Sequence, residues 1–135
     1  MYLKFLSFIG ALLSFPLWAA AGETGSLTDW VVEDSSAKVE ITCRKDTMDI
    51  VSPDGLTLWY KHRLTGDYEI TYQVQVVMEG GMYDRLSDLN CFWGADDPLH
   101  PDRFFERSAW RNGEFKRYNT LDLYYVGYGG NENKT

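Results

Sequence analysis

The sequence predicts an all-β protein built from short antiparallel strands. Apolar and polar residues alternate with a period of two along several segments, which is the pattern of half-buried strands. No segment carries a sustained apolar stripe with the 3.6-residue period of a helix. The strand-like segments are short and are separated by turn-forming residues, as in a β-sandwich or barrel.

The predicted strands begin at residue 39. Residues 39–43 alternate between apolar and polar types, and a turn at 44–46 leads into a similar segment that starts at Met48. Ser-Pro-Asp-Gly at 52–55 is a turn, because Pro fixes φ, Asp bonds back to the backbone and Gly accepts open dihedral angles. A strand over 56–62 follows it.

The longest predicted strand covers residues 68–78, where large apolar residues occupy every second position. Residues 64–67 are expected to join it to the preceding strand as a hairpin. The remaining elements are predicted strands at 86–93 and 121–126, a loop at 95–102 that is rich in Pro and Asp, and a short helical turn within 104–110.

Residues 1–21 have the pattern of a secretory signal peptide. Lys4 is their only charged residue, residues 5–18 are apolar, and Ala19-Ala20-Ala21 offers small residues for a signal peptidase. The apolar run is too short and wrongly flanked for a membrane span. We therefore expect one mature domain, residues 22–135, that is secreted or periplasmic.

The charge of this domain excludes some partners. The net charge is −7 for the whole chain, and loss of the single Lys4 charge makes it −8. DNA and anionic lipid require a basic surface, so we expect neither as a partner. Nine Tyr, seven Phe and five Trp are too many for a disordered chain.

Cys43 and Cys91 leave two interpretations open. In an oxidising compartment, a Cys43–Cys91 disulfide would close a long loop and contribute up to about 4 kcal/mol. Each cysteine also lies in an apolar strand-like segment, where a free thiol behaves as a small hydrophobic residue. The second interpretation is favoured.

Residues 58–70 carry a resemblance to a known superfamily. Their sequence, Leu-Trp-Tyr-Lys-His-Arg-Leu-Thr-Gly-Asp-Tyr-Glu-Ile, resembles the concanavalin A-like jelly rolls, in particular secreted lectin/glucanase-type domains. Ser-Asp-Leu-Asn-Cys-Phe-Trp at 87–93, with 118–121 and 124–131, is similar to the narrower group of YesU-like domains linked to pectin and rhamnogalacturonan breakdown. The resemblance covers about residues 30–135 and implies an antiparallel β-sandwich.

The resemblance also predicts that this sandwich is incomplete at its C-terminus. The sequence ends on a polar turn with no return strand after it, which would leave the last strand with an open edge unless that edge pairs with something else. The Glu-x-Asp-x-x-Glu strand of the glucanase members does not occur in the sequence. A retaining glycosidase of that type is therefore not expected, because it needs two carboxylates about 5 Å apart.

The function that the resemblance implies is that of a secreted carbohydrate-active protein. It would bind or degrade an acidic plant-type polysaccharide such as rhamnogalacturonan or pectin, as a polysaccharide lyase or glycoside hydrolase if it is an enzyme. The alternative is a non-catalytic sugar-binding or scaffold module of a glycan-utilisation system, and a third class is a structural protein of the envelope. No cofactor is expected.

His62 is the candidate catalytic residue, as the base that removes a sugar proton. Its parity on the strand places it beside Tyr60, whereas Trp59 would face the core. The predicted substrate-binding residues combine rings that stack on sugars with side chains that bind carboxylates and hydroxyls: Tyr60, Arg85, Asn90, Trp93, Arg111, Tyr118, Asn119 and Tyr125. The alternatives are core packing for each ring and a surface ion pair for each Arg.

Metal binding is a further alternative at the acidic loops. Hard oxygen ligands for a structural calcium would come from Asp84, Asp88, Asp96, Asp97 and Asp102, although their spacing does not match an EF-hand. Zinc is not expected, because the two His and two Cys are scattered. His100 lies between prolines in the acidic loop and is expected to be exposed, and Asn133-Lys134-Thr135 fits the N-glycosylation pattern.

The signal peptide predicts the N-terminus of the exported protein. N-terminal sequencing of material from the periplasm or medium should begin at Gly22, give or take a few residues, because cleavage follows Ala19-x-Ala21. Recovery of a periplasmic chain with an intact Met1 would contradict the assignment.

Overall fold

The computed structural model describes residues 26–86 and 89–129 in full and the backbone of residues 2–10. These residues form a β-rich chain, which confirms the all-β class. The strands are β1 (Tyr2–Gly10), β2 (Trp30–Asp34), β3 (Glu40–Arg44), β4 (Thr47–Val51), β5 (Leu56–Tyr60), β6 (Glu69–Val77), β7 (Leu89–Asp96) and β8 (Asp122–Tyr128).

Within the described residues, helical structure is limited to short turns. A one-turn helix, α1 (Ser108–Arg111), follows a 3₁₀ turn at Phe105–Arg107, as the sequence predicted for residues 104–110. Further 3₁₀ turns lie at Leu27–Asp29 and Phe115–Thr120. Nowhere in the described ranges is there a helix with the length and apolar character needed to cross a bilayer.

The strands form three small antiparallel sheets. The largest has the order β3-β4-β1-β6, and the other two are the pairs β2-β5 and β7-β8. In the large sheet β1 lies between β4 and β6. Tyr2 of β1 is paired opposite Val51 of β4 and opposite Val77 of β6.

The predicted hairpin between β5 and β6 is wrong. β5 pairs with β2, and β6 pairs with β1, so residues 61–68 connect two sheets. The sequence analysis did not predict β2, because the charged residues Glu33 and Asp34 are not typical of a buried strand. Glu33 is nevertheless buried there, since its carboxylate has partners in the interior.

Two clusters make up the described core. Met48 and Ile50 of β4 are buried against apolar side chains of neighbouring strands, including Val74 and Val76. The second cluster contains Trp59, Tyr118 and Leu121, packed by Val31, Phe92, Ala95, Phe104 and Leu123. Trp59 is only 8% exposed, as its predicted inward parity requires.

Cys43 and Cys91 are free, half-buried thiols in the structure. Cys91 on β7 is hydrogen-bonded with the Tyr72 hydroxyl of β6. Burial, together with the charge interaction and hydrogen bond with Cys91, raises the pKa of Tyr72 to about 12. The tyrosine therefore stays neutral at physiological pH and joins the large sheet to the β7-β8 pair.

Some sequence-based expectations concern residues outside the described ranges. These are the remainder of the signal peptide at 11–21, the Ser87-Asp88 part of the family-like motif with its candidate calcium ligand Asp88, and the final turn and glycosylation motif within 130–135.

Replacing Trp59 with Ala should destabilise the fold by about 3–5 kcal/mol, because it empties a site lined by Phe92, Phe104 and Tyr118. Urea unfolding followed by circular dichroism measures the change. Trp110→Ala is the matched control, since Trp110 is 43% exposed and its loss should cost much less. A larger loss for the control would contradict this assignment of the core.

Candidate functional site

The candidate site lies where β2 begins and β5 ends. We define the His62 site as Asp29, Trp30, Tyr60, Lys61 and His62. Trp30 is paired opposite Tyr60 as the first pair of the β2-β5 ladder, which brings the residues before β2 alongside the residues after β5.

Hydrogen bonds to the 3₁₀ turn before β2 hold this end of the ladder. The Lys61 backbone N–H donates to the Asp29 carbonyl at 2.9 Å, and the Lys61 ammonium donates to the Thr28 carbonyl at 2.6 Å. Ser26 caps the 3₁₀ turn by accepting from the Thr28 N–H. Asp29 is thereby fixed opposite the β5 end.

His62 and Asp29 form a hydrogen-bonded pair. His62 Nε2 lies 2.8 Å from Asp29 Oδ1, and the His62 side chain is 60% exposed. When Nε2 carries the proton and donates it to the carboxylate, Nδ1 is left with a free lone pair. An oriented imidazole with one open nitrogen is the arrangement that general-base catalysis uses.

Two aromatic rings form a wall beside the imidazole. The Tyr60 ring centroid lies 5.1 Å from that of His62 and 5.2 Å from that of Trp30. Trp30 and Tyr60 are half-buried and His62 is exposed, so the row runs from the core towards solvent. Asp29 and Trp30 are functional candidates that sequence reasoning missed, because the β2 strand that carries Trp30 was not predicted.

The segment at the end of β5 is basic, although the chain as a whole is acidic. Lys61, His62 and Arg63 are consecutive and exposed, in a protein with a net charge of −7. Arg63 makes no hydrogen bond or ion pair with the described residues, so its guanidinium is open to an anionic ligand. A cationic end of a strand in an acidic protein favours a negatively charged ligand.

The β7-β8 pair carries three of the predicted binding residues, but on two faces. Tyr125 stacks on Phe92 at 5.5 Å and donates from its hydroxyl to Asn90 at 3.0 Å. Trp93 follows Phe92 on the strand and therefore points to the opposite face, where it stacks on Tyr124 at 5.6 Å.

Gly127 permits the Tyr125–Asn90 contact. It lies opposite Asn90 on the ladder, and a Cβ there would collide with the Tyr125 hydroxyl. Asn90 and Tyr125 thus form a local pair on one face of the β7-β8 pair and Trp93 lies on the other, although the sequence predicted all three as substrate-binding residues.

Arg111 and Tyr118 lie in the interior, where they bind Glu33. The Arg111 guanidinium donates to Glu33 Oε1 from Nε at 2.9 Å and from Nη2 at 2.8 Å, and the Tyr118 hydroxyl donates to Oε2 at 2.6 Å. All three side chains are buried. Arg111 was expected to bind the carboxylate of a substrate at the surface. Its guanidinium is instead buried and paired with the carboxylate of Glu33.

The backbone after α1 places Arg111 against β2. Asn112 and Gly113 both have left-handed dihedrals, with φ of 49° and 71°. A Cβ on Gly113 would come within 2.7 Å of the carbonyl oxygens of Glu33 and Gly55. Only glycine allows this close approach, so Arg-Asn-Gly at 111–113 docks the helical turn onto the strand.

Burial raises the pKa of Tyr118 well above its ordinary value, and the hydrogen bond to Glu33 adds to the rise. The phenol therefore remains protonated and acts as a donor to the carboxylate. A neutral, buried tyrosine that supports an ion pair has a structural role, which differs from the substrate contact that the sequence suggested.

The second histidine also pairs with an aspartate. His100 Nδ1 lies 3.1 Å from Asp97 Oδ2, and the His100 side chain is 34% exposed, so it is less open than expected. Burial acts to raise the pKa of Asp97, but hydrogen bonds from His100 and from the Leu99 and His100 amides outweigh it and lower that pKa. The pair fastens the turn after β7.

The remaining candidates stand apart from the His62 site. Arg85 and Asn119 are exposed, on the loop after β6 and on the 3₁₀ turn before β8. Among the residues described, no ring contact or hydrogen bond connects either of them to Tyr60 or His62.

The acidic loops offer no built cation site in the described residues. No group of three or more His, Cys, Asp and Glu side chains is positioned there to hold a metal ion. Asp84 instead accepts the amides of Glu79, Gly80 and Gly81 at 2.7–2.9 Å, and these bonds lower its pKa.

Comparison with known proteins gives a match to a family model. Residues 50–135 match a family described as a domain of unknown function, DUF6250. The match covers more than half of the chain and includes β5, β6, β7 and β8. No curated protein and no solved structure matches the chain.

Glu33→Gln should destabilise the protein by about 3–5 kcal/mol, because it leaves the buried Arg111 charge without a counterion. Chemical denaturation measures the loss. The matched control is Glu106→Gln, which breaks an exposed pair with Arg103 at 2.6 Å and should cost at most about 1 kcal/mol. Equal losses for the two variants would contradict the structural role of Glu33.

Proposed function

The chain belongs to the DUF6250 family, and we propose that it is a secreted carbohydrate-active protein that binds an acidic plant-type polysaccharide at the His62 site. The observation that carries the proposal is the exposed His62, held by Asp29 at 2.8 Å and flanked by Tyr60 within a basic segment. A rhamnogalacturonan- or pectin-like chain offers both chemical features that this surface can recognise: sugar faces and carboxylates.

Recognition would divide between the ring and the charges. The Tyr60 face can pack against the C–H face of a sugar, as aromatic side chains do in polar ligand sites. The open Arg63 guanidinium can take a uronate carboxylate with two parallel hydrogen bonds. Lys61 is tied to the Thr28 carbonyl and would contribute mainly its positive charge.

The His62–Asp29 pair adds the capacity for lyase chemistry. Nδ1 of His62 would take the C5 proton of a uronate, and the electron pair left behind would form the C4–C5 double bond. The C4–O glycosidic bond would break, and the departing oxygen would take a proton from solvent. A cation near the uronate carboxylate would stabilise the negative charge that develops during proton removal.

The fold supports the proposal at a coarser level. Small antiparallel sheets suit a concanavalin A-like sandwich. Tyr60 lies at the end of β5, where the face that packs Leu56 and Leu58 on Met48 and Ile50 reaches solvent. We propose that fold for the domain. Export would place it where polysaccharide is encountered.

A non-catalytic binding module is the second candidate. Trp93 and Tyr124 stack nearly parallel, at 17°, and Tyr124 is 66% exposed. No His lies on this stack, so it can bind a sugar face without offering an imidazole base. If this pair is the principal contact, the protein holds glycan and a separate enzyme cleaves it.

Tyr60→Ala and His62→Ala should each weaken polygalacturonate or rhamnogalacturonan binding by at least about tenfold while changing the melting temperature little, because both side chains reach the surface. Gel retardation and calorimetry measure binding. Ultraviolet absorbance of unsaturated uronate measures cleavage, which His62→Ala should abolish if the protein is a lyase.

His100→Ala is the matched control, since it also removes a histidine paired with an aspartate but lies on the turn after β7. It should leave binding unchanged. Loss of binding in Tyr124→Ala but not in Tyr60→Ala would transfer the site to the Trp93–Tyr124 pair. Binding unaffected by all of these changes would refute both sites.

A further inference from the structure

Residues 2–10, within the segment that has the pattern of a signal peptide, form a strand of the large sheet. β1 pairs with β6 along all nine of its residues, from Tyr2 opposite Val77 to Gly10 opposite Glu69. On its other side it pairs with β4 over five residues, from Tyr2 opposite Val51 to Leu6 opposite Thr47. Cleavage after Ala21 would therefore remove a strand that has partners on both sides.

The space left behind has the dimensions of one strand. Neighbouring strands lie about 4.8 Å apart, so β4 and β6 would stand about 9.6 Å apart with β1 gone. Both pair antiparallel with β1, and their facing edges would each present unpaired backbone N–H and C=O groups. Such an edge binds an extended peptide through main-chain hydrogen bonds.

The residues beside this space define what would fit. Met48 and Ile50 on β4 are 5% and 1% exposed, and Val74 and Val76 on β6 pack on the same cluster. Their register partners on β1 are Leu3 and Phe5, while Lys4 stands opposite both Asp49 and Gln75. The fitting segment is therefore extended, with apolar residues two apart and a polar residue between them.

Direct closure of the space would disturb the core. Met48 and Ile50 also pack against Trp30, Leu56 and Leu58 on the β2-β5 pair. Moving β4 towards β6 by one strand width would draw these side chains away from that pair. A strand that fills the space would allow Met48 and Ile50 to keep their contacts with the β2-β5 pair and would leave β6 in place.

We propose that processing opens a slot between β4 and β6, and that this slot takes up one extended amphipathic peptide segment antiparallel to both strands. A peptide of residues 2–10 of the signal peptide is sufficient to fill the slot. The slot is distinct from the His62 site, and uptake of a strand there does not depend on sugar binding.

The test uses the processed chain, residues 22–135, and a fluorescently labelled peptide of residues 2–10. Anisotropy should show saturable one-to-one binding to the processed chain. The unprocessed chain, residues 1–135, should bind the peptide at least about tenfold more weakly, because its own β1 fills the slot. Hydrogen exchange should show new protection of β4 and β6 amides on peptide binding.

A peptide with Phe5→Pro is the matched control. Proline lacks the N–H and does not fit a central strand, so its binding should fall at least about tenfold. If the processed chain does not fold alone, refolding with the original peptide should restore a cooperative transition and refolding with the proline variant should not. Equal binding of both peptides, equal binding by both chains, or no binding and no rescue would overturn the proposal.

Discussion

The buried ion pair between Glu33 and Arg111 is the constraint on which the rest of the described structure depends. It connects residues 78 positions apart in the sequence and fastens the helical turn α1 to the strand β2. The carboxylate also accepts the Tyr118 hydroxyl, so the 3₁₀ turn before β8 is held by the same group. An isolated buried charge would be prohibitive, and Glu33 and Arg111 neutralise each other only when these elements meet.

The placement of Trp59 follows from this arrangement. Its ring is enclosed by Phe92, Phe104 and Tyr118, which come from β7 and from the segments on either side of α1. With Trp59 committed inward, its neighbour Tyr60 must point to the other face of β5. Packing of Trp59 on one side of β5 therefore places Tyr60 on the other side, at the solvent end of the face that also carries Leu56 and Leu58.

Much of the secondary structure could be predicted from the sequence. The alternation around Val74 and the turn at 52–55 identified strands close to their observed limits, because burial on one sheet face imposes a period of two. Strand pairing could not be predicted in the same way. The short link at 64–67 suggested a hairpin, but β5 pairs with β2, a strand that local pattern concealed because its Glu33 is stabilised by a distant arginine.

The same limit applies to the candidate residues. Parity alone placed Tyr60 beside His62, since both lie on one short segment. Parity could not show that Arg111 is paired with the internal carboxylate of Glu33. Nor could it show that Asn90 and Tyr125 share one face of the β7-β8 pair while Trp93 lies on the other. Those facts depend on contacts between segments far apart in the chain, and composition favoured surface positions for charged residues.

The position of Asp29 and His62 beyond the paired ends of β2 and β5 makes their contact sensitive to strand alignment. If β2 slid along β5 by two residues, every side chain would keep its face, and the hydrophobic contacts would tolerate the shift better than an odd one. A slide that brings His62 across from Ser26 would move it away from Asp29 and would break the hydrogen bond between the two side chains. The hydrogen bond between the His62 imidazole and the Asp29 carboxylate thus depends on the alignment of the two strands.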